Sequence, residues 1–280
     1  MRPDLGELGP GEQEISELRL LLARRRDLIT DRSRTITRLR ETLLSLFPAL
    51  ERALDLNGKG PLTLLTHYQS PAQLRRAGHK RVATYLRNRG VKGSANVARK
   101  ALSAAESQSV ILPAQEVASR IVAELAEEVL AFKERIESID EEIGQRFFAR
   151  PEARILRVAC RAWDRSSGPC FLVCVGDVSA FESADRLAAY AGLVPAARDS
   201  GKRVGNRRRM RGGNKTLKRV FYQAAFASLR GSTESRVFYD RKRAEGKRHK
   251  QALIALARRR VNVVWAMLRD GSTFETRSAA

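Results

Sequence analysis

The chain has 280 residues, 43% of them apolar and 6% aromatic, with 53 Lys and Arg against 31 Asp and Glu, a net charge of +22 and a pI of about 11.0. That is enough apolar matter for one large or two ordinary domain cores, and the excess of cations favours an anionic polymer or membrane surface as partner. No apolar run approaches membrane-span length, and the N-terminus, with Pro3, Asp4, Glu7 and Glu12, has no apolar signal segment, so a cytoplasmic protein with no membrane partner is expected.

Abundant Ala, Leu, Arg and Glu predict a mainly α fold. Residues 1–13 read as an irregular lead-in. From Glu14 to about Leu46 the spacing predicts a helix, with Ile15, Leu18, Leu22, Ile29, Ile36, Leu39, Leu43 and Leu46 on one face. Its other face is rich in arginine, which suits either a solvated surface or a nucleic-acid stripe, and Asp27 and Asp31 read as helix salt bridges among those arginines. Pro48 ends the pattern, and Asn57-Gly58-Lys59-Gly60-Pro61 is a turn. Short helices are expected over 62–68, 71–76, 81–89 and 94–109, broken at Gly78 and Gly90. They make a small helical region with basic edges and no catalytic constellation.

After Pro113 a long helix runs to about Phe148, its apolar residues stepping by threes and fours from Val117 to Phe147. It is expected to be a coiled-coil arm through which the chain forms a homo-oligomer over 113–148. Further helices are expected over 184–191, from an Asn214 cap to Gly231, over 235–244 and over 250–269, with Phe221 and Trp265 in the core. Cys160, Cys170 and Cys174 lack a fourth ligand nearby, and His67, His79 and His249 are remote in sequence. Reduced thiols are expected rather than a zinc site, and no cofactor is expected in this chain.

The centre of the chain is Tyr190–Asn214. An apolar end, Leu193-Val194-Pro195, runs into a polar loop with one small hydroxyl, Ser200, between Asp199 and Gly201. Arg198, Lys202, Arg203, Arg207, Arg208, Arg209 and Arg211 surround it, and Lys215, Lys218 and Arg219 follow in the first turns of the next helix. Residues 201–260 hold 20 Lys and Arg against three acids. Guanidinium groups bind phosphate oxygens in forks, so these ten cations read as a nucleic-acid-binding set. A serine oxygen can attack phosphorus once activated, although Asp-Ser-Gly is also ordinary turn chemistry. No phosphate-binding loop of the Gly-x-x-x-x-Gly-Lys-Ser/Thr form and no acidic cluster for a metal occurs.

Tyr-Ala-Gly-Leu-Val-Pro at 190–195, Asp-Ser-Gly at 199–201, Gly205-Asn206, the basic run, Ala224-Ala225 and the segment 238–249 together resemble the insertion-sequence one-ten family of DEDD-type, bridge-RNA-guided transposases, related to Piv-type invertases. The resemblance runs through essentially the whole chain. It implies a RuvC-like first domain holding Mg²⁺ with four carboxylates, a coiled coil, and a C-terminal domain whose serine nucleophile corresponds here to Ser200. DNA and a guide RNA are the implied partners. The family's carboxylates lie upstream of the segment where this chain starts. The resemblance therefore implies an N-terminally truncated copy: a RuvC-like remnant over 1–56, a helical region over 57–112, the arm over 113–149, the serine domain over 150–272 and a tail over 273–280. The expected function is DNA transposition or site-specific recombination by phosphodiester transesterification, in a copy expected to be inactive. The alternative is a non-catalytic nucleic-acid-binding remnant that keeps the binding and oligomerising surfaces.

One tract departs from the pattern. The family carries Met-Pro-Gly-x-Gly-Pro-x-x-Gly-Ala where this chain has Ala-Cys-Arg-Ala-Trp-Asp-Arg-Ser-Ser-Gly-Pro at 159–169, a tract with neither helical nor strand period. Back-translated out of frame, with CGN arginines and TCN serines, it accommodates the family motif throughout, the central glycine being forced by Trp163-Asp164. A tract never selected for its site is expected to pack loosely over 158–169. The gene sequence should encode Met-Pro-Gly-x-Gly-Pro, or a near variant, in a shifted frame across codons 159–169; its absence from both shifted frames refutes the reading.

Overall fold

A computed structural model describes residues 10–108, 115–159, 166–194, 196–197, 207–208 and 212–272. In chain order the helices are α1 (Pro10–Leu46), α2 (Pro48–Ala53), α3 (Lys59–Leu65), α4 (Pro71–Asn88), α5 (Ser94–Glu106), α6 (Gln115–Phe148), α7 (Pro151–Ala159), α8 (Ser167–Val175), α9 (Ala184–Tyr190), α10 (Lys215–Gly231), α11 (Thr233–Ala244) and α12 (His249–Arg269). A short antiparallel ladder pairs β1 (Ala196–Ala197) with β2 (Arg207–Arg208). No helix among the described residues is long and apolar enough to cross a membrane.

Two compact units divide the chain, 24–139 and 1–23 with 140–280, the boundary falling inside α1 and inside α6. In the first, Leu39, Leu43, Phe47, Leu50, Leu62, Leu65, Leu74 and Leu86 are buried together with Ala98, Ala101 and Ala105 of α5. Alanine at these α5 positions lets α4 and α5 pack closely. Ser70 and Gln73 form a capping box that fixes the start of α4. At Gly78, φ is +70°, which breaks α4 into two segments, as the sequence anticipates.

In the second unit, α7 to α12 surround a core built on Phe171, Leu187, Leu217, Phe221, Leu256 and Val261. Phe171 meets Phe221 edge to face at 5.8 Å. Trp265 packs against this core, donates from Nε1 to the Phe181 carbonyl at 3.1 Å, and lies under Arg269. The first residues of α1 belong here through Glu17–Arg146 at 3.2 Å and Glu14–Arg150 at 2.8 Å.

Two expectations change, and the packing of α6 bears on a third. The assignment of 1–56 to a RuvC-like remnant is overturned. Among the described residues the regular structure is helical apart from one ladder of two two-residue strands, and the second half of α1 packs into an all-helical core rather than onto a sheet. An amphipathic stripe records that a helix is covered on one face, not whether helices or a sheet cover it. The stripe of α6 has partners within the chain: Val122, Ala126 and Val129 are buried in the first core and Phe147 in the second. That leaves Val117, Ile121 and Phe148 as its exposed large apolar side chains. Loose packing over 158–169 is not what 167–169 shows. Ser167, Gly168 and Pro169 are buried, while 160–165 lie outside the described residues. Asp31 does pair with Arg34, at 3.5 Å.

A Cβ on Gly168 would come within 2.5 Å of Phe147 Cζ, whereas one on Gly144, in the interior of α6, would meet nothing within 4 Å. Gly168→Ala should therefore destabilise the fold by about 1–3 kcal/mol through overpacking. Gly144→Ala should stabilise it by about 0.5–1 kcal/mol through helix propensity. Urea unfolding of the two variants beside the parent checks both signs.

Candidate nucleic-acid interface

The basic loop springs from a neck at which two backbones touch. Gly192 turns the chain just after α9 with φ +65°, and Gly213 returns it with φ +84°. A Cβ on Gly192 would lie 2.6 Å from the Gly212 carbonyl oxygen, and one on Gly213 would lie 2.7–2.9 Å from Gly192 N, Gly192 Cα and the Tyr190 carbonyl oxygen. Only glycine allows that approach with those φ values. The Asn214 amide donates to the Tyr190 carbonyl at 2.8 Å.

Asn214 ties the neck to the helix that follows. Its Oδ1 accepts from the Leu217 amide at 3.0 Å, the N-cap that the sequence predicts. Its Nδ2 donates to Tyr190 Oη at 3.3 Å, and Tyr190 Oη donates to the Cys174 carbonyl at 3.3 Å. Cys174 Sγ donates to Asn214 Oδ1 at 3.7 Å, and burial pushes the Cys174 thiol up, so this group stays a donor. Beyond the neck the ladder sets Ala196 opposite Arg208 and Ala197 opposite Arg207.

Of the expected site residues, Arg198, Ser200, Lys202, Arg203, Arg209 and Arg211 lie outside the described residues. The ladder brings the backbones of Arg207 and Arg208 to the loop stem. Lys215 and Arg219 are exposed in the first turns of α10, and Lys218 is half-buried there. Cations at a helix N-terminus oppose its dipole, an arrangement favoured when an anion sits among them.

Sequence reasoning missed a second group on α11 and α12. Phe238 has three cations near its ring, Arg241 at 5.2 Å, Lys242 at 5.6 Å and Arg259 at 5.1 Å. Tyr239 Oη and His249 Nδ1 are 2.6 Å apart. The carboxylates here are already engaged: Asp240 with Arg236 at 3.1 Å, and Glu245 with Lys242 at 2.8 Å and Lys247 at 2.7 Å. Those two lysines hold the Glu245 carboxyl down at about 2. The clue in the sequence is the mixing of aromatic and basic residues in 236–250, within the basic window 201–260. Among the described residues no group of three or more His, Cys, Asp or Glu is placed to hold a metal. The Mg²⁺ carboxylates that the resemblance implies therefore have no counterpart there.

A family model described as the Transposase IS116/IS110/IS902 family matches residues 165–240. Over 275 residues, 98% of this chain and 69% of the relative, the sequence is 45% identical to the insertion element IS116 uncharacterized 44.8 kDa protein of Streptomyces clavuligerus. It is 46% identical over 276 residues, with the same shares, to the insertion element IS900 uncharacterized 42 kDa protein of Mycobacterium paratuberculosis. It is also 29% identical over 151 residues, 52% of this chain and 47% of the relative, to the pilin gene-inverting protein of Moraxella lacunata.

Asn214→Ala removes both the cap and the tie to Tyr190, and should cost about 1–2 kcal/mol. Asn214→Asp keeps the acceptor for the Leu217 amide and should recover most of that loss. Thermal unfolding of the pair checks the order; equal losses would show that the cap contributes little.

Proposed function

The chain belongs to the IS116/IS110/IS902 transposase family, and on that premise we propose that it is a nucleic-acid-binding component of DNA transposition or site-specific recombination. It holds phosphodiester strands on the basic face of the unit built from α7 to α12. The observation that carries this reading is the junction at the neck. The stem residues Arg207 and Arg208 and the exposed Lys215 and Arg219 flank the glycine contact at the loop base, and Asp240 and Glu245 are already paired with other cations. Duplex DNA and a structured guide RNA both present the phosphates such a face grips. Self-association along α6 falls to the exposed Val117, Ile121 and Phe148.

A second reading has Ser200 as the nucleophile of strand transfer. It is favoured by the similarity to a protein named for gene inversion. A serine hydroxyl needs a base or metal for activation, and the described residues supply no metal-holding group. Ser200 would then act only in an assembly that contributes one.

Changing Arg207, Arg208 and Arg209 together to Ala should weaken binding to duplex DNA and lower the log–log salt slope by about 2–3. An unchanged slope in a filter-binding titration would move the interface elsewhere. The second reading is checked on a denaturing gel with end-labelled DNA and Mg²⁺. The chain alone should give no covalent adduct, and an adduct abolished by Ser200→Ala would establish cleavage by this chain.

A further inference from the structure

The unit spanning 24–139 contains a surface that the reading above does not use. Residues 56–105 hold ten Lys and Arg and no Asp or Glu. At the chain's own acidic content, about five carboxylates would stand in a stretch of that length. All ten cations are exposed, and among the described residues none of them forms an ion pair with a carboxylate. A basic stretch of ordinary solvated helix carries interspersed acids; this one has none.

The fold gathers part of that charge at one place. The connection from α4 to α5 runs through Gly90 and Gly93, each with φ +71°, with Val91 buried between them. Arg87, Arg89 and Lys92 are exposed at this turn, and Lys59 Nζ lies 3.8 Å from where a Cβ on Gly90 would stand. Beside them is an aromatic stack. His67 is exposed and lies on the Tyr85 ring at 4.8 Å and 17°, and the Arg89 guanidinium sits 3.7 Å from the Tyr85 centroid. Tyr85 is fixed from below by a hydrogen bond to Thr66 Oγ1 at 3.1 Å and by an edge contact with Tyr68.

We propose that the turn between α4 and α5, with Lys59, Arg87, Arg89 and Lys92 around the His67–Tyr85 stack, is a second nucleic-acid-binding surface that grips the backbone of a strand and stacks an unpaired base. Three features select this ligand. Arg and Lys without carboxylate partners suit phosphodiester oxygens. A rigid aromatic stack with an exposed member suits a base face. None of the exposed large apolar side chains among the described residues lies in 56–105, so the surface lacks both the apolar face that seats on a membrane and the apolar anchor of a protein interface.

The test uses the full chain in which Arg207, Arg208 and Arg209 are already Ala, so that the other face contributes little. Fluorescence anisotropy is read with a single-stranded oligonucleotide, an RNA hairpin with an unpaired loop, and a blunt DNA duplex. Adding Arg87→Ala, Arg89→Ala and Lys92→Ala should weaken binding to the first two at least about tenfold and lower the salt slope by about 2–3. The matching variant with Arg87→Lys, Arg89→Lys and Lys92→Arg should keep the slope. His67→Ala should weaken the single strand and leave the blunt duplex unchanged. Unchanged binding in the triple variant would overturn the proposal while leaving the α7–α12 interface standing. Equal losses towards polyglutamate or phosphatidylserine vesicles would overturn it in favour of an acidic protein or a membrane.

Discussion

At Gly192 and Gly213 two stretches of backbone pass with less room between them than a methyl group needs. Much of the second unit is arranged by that contact. It sets where α9 stops and where α10 begins, and it brings Asn214 to the one position from which it can cap α10 and reach Tyr190. The basic loop leaves and re-enters the fold through this gap. A stem held by backbone contact fixes where the loop begins and ends.

Electrostatics sets the second condition. With 53 cations and 31 acids, the chain repels itself, and the apolar cores act against that repulsion. The few carboxylates are used locally. Asp240 and Glu245 neutralise neighbours on or just beyond α11, and Glu14 and Glu17 hold the start of α1 to Arg150 and Arg146. The cations left over occur in blocks at 56–105 and 201–260 rather than as an even coat. A polyanion that covers either block removes the repulsion, so ligand binding and fold stability are coupled by mass action.

Much of this was legible in the sequence. The periods of α1, α6, α10 and α12, the break at Gly78 and the Asn214 cap follow from spacing and local chemistry, and all are present. What a helical stripe packs against was not legible. The same Val and Ile spacing on α6 fits a coiled coil or an in-chain core, and only the tertiary structure shows Val122 and Val129 buried in the chain. The resemblance likewise implied a remnant of an α/β domain over 1–56 where an all-helical core exists. The Tyr239–His249 contact depends on two helices meeting across a turn, which no local pattern encodes. Ser200 itself lies outside the described residues, so its role rests on its neighbours in sequence and on the family.

The hydrogen bond from Cys174 to Asn214 also has a chemical consequence. A thiol whose ionisation is suppressed by burial is a poor nucleophile towards alkylating reagents and oxidants at neutral pH. Cys174 is half-buried beside the cap residue of α10. Its rate of modification therefore reports on the packing of the neck, a probe built into the protein without a label.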